Sequence, residues 1–392
     1  MLYSLSYPLQ ISQTSYPSSP SNSSYPLKGE PMNTSPYKQL AVRLDSLPNG
    51  FPATDDGTEL RLLEMIFTPE EAELAAQLRL TLETSQEVAA RIGRDPKEVR
   101  NLLKGLARRM LITVGRAENG LGYAIMPFVV GIYEMQFATL DAEMAQIFED
   151  YYQQAFVNVM ATMPQFHRIV PVNETIQTGM EINPFESAAD IVAGANAWGV
   201  VDCICRKQQA LIGNPCGHPL DVCMILSKRP GAFDNSPVIQ AQTQEEAMGT
   251  LKRAAEAGLV HSVSNTKEGL TYICNCCTCS CGILRGISEM GIANVVARSA
   301  FVNQVDEDLC VGCEICVDYC QFDALSLDED KGVIAVKEVS CVGCGVCVPA
   351  CPEEALSLVR RPEDEILPVP ATEDDWRMER SQARGLDLNL VM

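Results

Sequence analysis

The chain has 392 residues, 46% of them hydrophobic, with 17 cysteines and a formal net charge of −21. That length allows two or three domains, each with its own core, and the strong negative charge disfavours a protein whose main work is coating nucleic acid. No run approaches the ~18 consecutive apolar residues of a membrane-spanning helix, and the first residues lack the charged and apolar regions of a signal peptide. The expectation is a cytoplasmic protein with no membrane span, its clustered thiols kept reduced rather than paired as disulfides.

In chain order, residues 1–56 are rich in Ser, Pro, Tyr and Asn and show no periodicity, so they read as a disordered tail. From Gly57 the pattern turns helical: Leu60, Leu63, Ile66 and Phe67 form an apolar stripe, and Thr68-Pro69-Glu70-Glu71 starts a second helix. Thr84-Ser85-Gln86-Glu87 has the form of a capping box, Gly93 ends that helix, and Asp95-Pro96 opens another that runs to about Met110. Leu111–Val114 and Gly122–Ile125 read as two strands of a hairpin. Helices followed by a hairpin resemble a winged-helix domain, here over 57–135, with 95–110 in the recognition-helix position. That helix carries Lys97, Arg100, Lys104, Arg108 and Arg109, which suit DNA phosphates or a protein partner. With the rest of the chain acidic, the docking role is preferred.

Residues 136–300 read as a helical bridge, Leu140 to Met163, followed by a cysteine-rich α/β domain. His167 after the bridge reads as structural. Nine cysteines fall here in two groups: Cys203, Cys205, Cys216 and Cys223, with Arg206 and His218 among them, then Cys274, Cys276, Cys277, Cys279 and Cys281. Helix-then-strand patterns precede each group (186–201 and 245–261), and an α/β layer would bring the two together. Nine thiols in two loops exceed what core packing explains. A zinc site of four thiolates, or of three with His218, and one or more further iron–sulfur clusters both remain open as metal readings. Arg206 is placed to donate to a cluster sulfur.

Residues 301–360 write one motif twice. Cys310, Cys313, Cys316 and Cys320 repeat as Cys341, Cys344, Cys347 and Cys351, each in C-x2-C-x2-C-x3-C spacing, and both copies run on into Ala-Leu-Ser-Leu. This run holds cubane iron–sulfur clusters through thiolates. Twelve acidic residues against three basic ones over 301–360 suit docking to a basic surface on a partner. The segment resembles the bacterial two-[4Fe-4S] ferredoxins. The resemblance implies one cluster on Cys310, Cys313, Cys316 and Cys351, and a second on Cys341, Cys344, Cys347 and Cys320. Gln321 stands where a proline usually follows the fourth cysteine, while Pro352 keeps it. From about residue 60 to 358 the chain also resembles a group of iron–sulfur proteins of anaerobic bacteria and archaea, identified by its C-x-C-R, C-x-H-P and C-N-C-C segments. That resemblance implies redox metallochemistry.

Residues 361–392 read as a flexible acidic tail, with Trp376 as a candidate anchor for a partner. No dinucleotide fingerprint, phosphate loop or nucleophile elbow is present, so no nucleotide cofactor is signalled. The fold expectation is an α+β multidomain chain: winged-helix-like domain, cysteine-rich α/β domain, ferredoxin-like 2[4Fe-4S] domain. The functional expectation is an electron-transfer component working with a redox protein or a larger oxidoreductase. The alternatives are a redox-responsive DNA-binding regulator and an oxidoreductase with a catalytic cluster in the middle domain.

Overall fold

The computed structural model describes residues 35–171 and 183–392. The expected tail over 1–34 lies outside them. Its continuation does not hold as a tail: α1 (Pro36–Asp45) is a helix that buries Leu40, Ala41 and Leu44, and Leu47 and Phe51 behind it are buried as well. Composition hid this segment because its few apolar residues find their partners far along the chain, as Arg43 does in donating to the carbonyls of Leu78 and Leu390.

The next elements are α2 (Thr58–Ile66), α3 (Pro69–Ala75), β1 (Glu83–Thr84), α4 (Ser85–Ile92), α5 (Pro96–Arg108), β2 (Ile112–Ala117) and β3 (Gly120–Ile125). Thr68 and Thr84 each close a capping box, with Glu71 and Glu87, and Asp95 caps α5 ahead of Pro96. Two orphan amides are satisfied at each start, which fixes where the helices begin. The three strands pair antiparallel in the order β1-β3-β2.

The bridge is one helical path with an expanded turn: α6 (Ala142–Tyr151), a π-helical turn at Tyr152–Phe156, then α7 (Val157–Met160). It buries Met144, Phe148, Tyr151 and Phe156 against Phe51, Phe128 and Tyr133, and the Tyr133 and Phe148 rings stack at 3.5 Å between centroids.

The middle region contains β4 (His167–Ile169), α8 (Ala188–Ala193), β5 (Ala197–Val201), α9 (Ile204–Leu211), β6 (Cys223–Ser227), β7 (Gln240–Gln242), α10 (Gln244–Glu256), β8 (Val260–Ser264), β9 (Tyr272–Cys276), α11 (Arg285–Ser288) and β10 (Val296–Ala297). They form a seven-stranded sheet, β10-β4-β8-β9-β6-β5-β7. Every pairing in it is antiparallel except β10 with β4. The expected α/β layer is therefore corrected to a mainly antiparallel sheet with helices packed on it. The helix-then-strand patterns point to an α/β layer, whereas β8 returns antiparallel to β9 through a short loop.

At the C-terminal end, β11 (Phe301–Val305) pairs with β14 (Leu356–Arg360), and β12 (Leu325–Asp328) pairs with β13 (Val333–Val336), with α12 (Ile315–Tyr319) after the first cysteine loop. The final segment is also ordered. Thr372 caps α13 (Glu373–Ala383), Trp376 is buried and donates to the Gln165 carbonyl at 2.8 Å, and Arg380 is fully buried. Arg380 donates to the carbonyls of Pro48, Val159, Thr162 and Pro164. Trp376 thus anchors the chain to itself rather than to a partner, and the acidic-tail expectation is corrected. No helix among the described residues is long and apolar enough to cross a membrane.

Candidate metal centres

The repeated C-terminal motif folds so that each copy lends one thiol to the other. Cys310, Cys313, Cys316 and Cys351 line one cavity, together with Ile334 and Leu356. Cys320, Cys341, Cys344 and Cys347 line a second, together with Phe322, Val346 and Leu358. Main-chain amides already point at the sulfurs: Ile334 N–H donates to Cys310 Sγ at 3.4 Å, Ala324 N–H to Cys320 Sγ at 3.3 Å and Ala355 N–H to Cys351 Sγ at 3.4 Å. The Asn303 side-chain amide donates to Cys347 Sγ at 2.9 Å. Ala324 and Ala355 hold the same place in the two copies.

The loops wrap tightly because their backbone turns left-handed. Gly312 and Gly343 have φ of 65° and 69°, and a Cβ there would sit 2.4 Å from the Gly332 carbonyl and 2.1 Å from the Phe301 carbonyl. Where the second copy uses Gly345 for the same purpose, the first holds Glu314 at φ 61°. Burial pushes the Cys316 thiol up to about 11 and Cys344 up to about 12, so these sulfurs stay protonated at neutral pH until a metal displaces the protons. The cavities differ in exposure. Cys313 is exposed, beside exposed Leu309, Val311 and Ile315, while Cys341, Cys344 and Cys347 are buried.

The middle region gathers thiols from distant segments. A cavity of about 250 Å³ is lined by Cys203, Cys205, Cys223, Cys274, Cys276, Cys277 and Cys281. Cys203 caps α9 and Cys205 lies in its first turn, Cys223 opens β6, and Cys274 and Cys276 stand two apart on β9, which puts both on one face of the strand. The lining also includes Tyr133, Glu134, Tyr152, Phe156 and His167. Tyr152 projects from the π-helical turn of the bridge, a type of irregularity frequent at functional sites.

This cavity carries polar atoms with no protein partner. Among the described residues, the hydroxyls of Tyr133 and Tyr152, Nε2 of His167 and Nε of Arg206 are buried without a hydrogen bond. Buried polar atoms are normally satisfied, so four orphans among the residues lining one cavity point to a bound group. Arg206 donates instead to the carbonyls of Pro219 and Asn275. Burial lowers His167 to about 4, leaving it neutral at pH 7. Burial raises Glu134 to about 7, against the opposing hydrogen bond from Gly131 N–H.

A second set of ligand atoms shares Cys277 with the lining of this cavity. The ligand atoms of Cys216, His218, Cys277 and Cys279 all lie within 4.8 Å of one another. Although burial pushes the Cys277 thiol up, the His218 hydrogen bond and the Arg206 charge outweigh it and bring it down to about 6. The loop of this set is joined to the C-terminal lobe by Gln321. Its side chain accepts from Thr278 N–H at 2.7 Å and donates to the Gly258 carbonyl. The proline that Gln321 replaces has no amide to make either bond. Sequence reasoning missed Tyr133, Glu134, Tyr152 and Asn303 as site residues, because none stands near a cysteine in the chain.

Residues 309–355 match the family model of the 4Fe-4S dicluster domain. This stretch is an iron–sulfur electron-transfer module. No curated protein and no solved structure matches the chain. The residues present fit 4Fe-4S binding on the geometry above: four thiols face each C-terminal cavity, amides are aimed at the sulfurs, and glycines stand where a side chain would block the wrap.

Proposed function

We propose that this chain is a cytoplasmic electron-transfer protein with two [4Fe-4S] clusters, and that it works as a subunit or partner of a larger oxidoreductase. Cys310, Cys313, Cys316 and Cys351 hold the first cluster; Cys341, Cys344, Cys347 and Cys320 hold the second. Bound there, the clusters supply single-electron exchange. The observation that carries the reading is the crossed arrangement of the two thiol quartets around two neighbouring cavities.

The difference in exposure gives the path a direction. Electrons enter near the exposed Cys313, where Leu309, Val311 and Ile315 offer an apolar docking rim within an acidic surface. They leave from the buried second quartet toward the middle region, to which Cys320 is tied through its neighbour Gln321. Cys203, Cys205, Cys223, Cys274, Cys276 and Cys281 hold a further metal centre in the 250 Å³ cavity, and the orphaned phenols and His167 face that centre or its substrate.

Protein-film voltammetry of the anaerobically purified full chain tests the reading. Two reversible one-electron waves are expected from the C-terminal lobe, with Cys313→Ser and Cys344→Ser each removing or shifting a different one. A fully iron-loaded protein without such waves contradicts it.

One observation favours a second reading. The helices α2–α5 ahead of the β2–β3 hairpin support the winged-helix reading of 57–135, and α5 exposes Lys97, Arg100, Lys104 and Arg108. A redox-responsive regulator would bind DNA through that face. Sequence-selective binding that changes with cluster state and is lost in Arg100→Ala/Lys104→Ala would establish it. DNA binding that ignores cluster state would leave α5 as a docking helix for protein.

A further inference from the structure

The nine middle thiols divide into two sites of different chemistry, and the smaller one has not been placed in the electron path. We infer that Cys216, His218, Cys277 and Cys279 bind a single zinc-class divalent ion in a closed tetrahedral site, which locks the middle region's cysteine loop against the C-terminal lobe.

The separations decide between an ion and a cluster. One tetrahedral ion with donors at about 2.0–2.3 Å holds its donor atoms about 3.5–3.8 Å apart. Cys279 Sγ and His218 Nδ1 stand 3.8 Å apart, and all four donors fall within 4.8 Å of one another. A cubane places four irons between its thiolates and needs a wider ring of sulfurs than this. Three thiolates with one imidazole is a donor set that Zn²⁺ takes in structural sites, and four protein ligands leave no open position for chemistry.

The chain reaches this geometry by two short devices. Cys216 and His218 are two residues apart in one loop, Cys277 and Cys279 two apart in another. Cys274 and Cys276 stand two apart on the strand, whereas Cys277 follows the strand's last residue and its thiol lies with Cys216, His218 and Cys279. The end of the strand at Cys276 is where the run of five cysteines divides between two sites. Around the set, Ser280 Oγ donates to Cys216 Sγ at 3.4 Å, the supporting bond that orients a metal ligand.

The position of the site gives its role. His218 and Cys279 border a cleft shared with Gly258, Asp318, Tyr319 and Gln321, so they sit where the C-terminal lobe meets the middle region. Between Cys277 and Cys279 lies Thr278, whose N–H is held by Gln321. An ion gripping both neighbours of Thr278 fixes that contact, and with it the spacing between the second C-terminal quartet and the 250 Å³ cavity. Zn²⁺ has no redox chemistry of its own, so the ion supports the path without carrying electrons. The inference stands whether or not the chain transfers electrons.

The test is zinc and iron quantification on the full chain purified anaerobically, with X-ray absorption at the zinc edge, which iron does not obscure. One zinc per chain is expected, with three sulfurs at about 2.3 Å and one nitrogen at about 2.0–2.1 Å. Cys279→Ser and His218→Ala should lose the zinc while iron stays within about a tenth of wild type. His218→Cys should keep it with a four-sulfur shell, which guards against a variant that merely misfolds. Zinc absent from the wild type after growth with added zinc overturns the inference. Zinc retained in both Cys279→Ser and His218→Ala, or iron lost in place of zinc, overturns it as well.

Discussion

In the C-terminal lobe, three of the four thiols around each cavity come from one loop, Cys310–Cys316 or Cys341–Cys347, and only the fourth comes from the twin. In the middle region, the thiols of the large cavity come from 203–205, 223 and 274–281, carried by a helix start, two strands and a loop. The first kind of site is written along the chain; the second exists only once a sheet has formed. The difference predicts opposite dependences. The C-terminal lobe has only small buried clusters of its own, several of whose members are ligand candidates, whereas the middle sites rest on a sheet and on the aromatic bridge, which hold their shape by packing.

The largest expected effect follows from that contrast. The lobe's own buried clusters are small; the largest is Cys316, Leu325, Ile334, Cys347 and Leu356, two of them ligand candidates, and Phe322, Val342, Cys344 and Val346 pack into the main core instead. Stripping iron with chelator and oxidant should unfold 301–360, seen as rapid proteolysis there, while the helical region from α1 to α7 stays resistant. A lobe that remains resistant without iron would erase the contrast.

Next in size is the support of the middle region. Arg285 follows the cysteine loop, is 5% exposed, and pairs with Glu149 on the bridge at 2.5 Å. Glu149→Ala leaves that guanidinium without its main buried partner and should cost about 3–5 kcal/mol, read as a drop in Tm. Although burial opposes it, the Arg285 hydrogen bonds hold the Glu149 carboxyl down to about 2, below its ordinary 4.5. A depressed carboxyl contributes stability that is present above pH 4.5 and is lost as pH falls toward 2. Wild type should therefore lose Tm over that window more steeply than Glu149→Gln; equal slopes would remove the pair from the account.

Gly343→Ala should cost about 1–3 kcal/mol, since it combines a left-handed φ with a Cβ 2.1 Å from the Phe301 carbonyl. Gly93→Ala has a comparable φ of 71° but open space around its Cβ, so it should cost less. The smallest effect should come from Gln321→Pro, which restores the usual ferredoxin residue and leaves Thr278 N–H unpaired. About 1–2 kcal/mol is expected, with zinc retention weakened and both C-terminal thiol quartets intact.

What could be read from the sequence follows the same division. The eight C-terminal cysteines, their spacing and Gly312, Gly343 and Gly345 are local features, and so are the capping residues Thr84 and Asp95. The split of the middle thiols was not legible, because it depends on where β9 ends, after Cys276, and on the pairing of β9 with β6 and β8. The ordered ends were missed for a related reason. Leu40, Leu44 and Trp376 look sparse in composition, and Arg380 looks like a surface charge until four carbonyls from two distant segments surround it.

The central claim is the crossing of the two C-terminal quartets. Electron paramagnetic resonance of the reduced full chain tests it directly, comparing Cys351→Ser and Cys320→Ser with one loop variant of each copy. The account predicts that Cys351→Ser perturbs the same signal as Cys313→Ser, and Cys320→Ser the same signal as Cys344→Ser. If Cys351→Ser instead perturbs the signal that Cys344→Ser does, each copy closes its own site and the crossed arrangement is wrong.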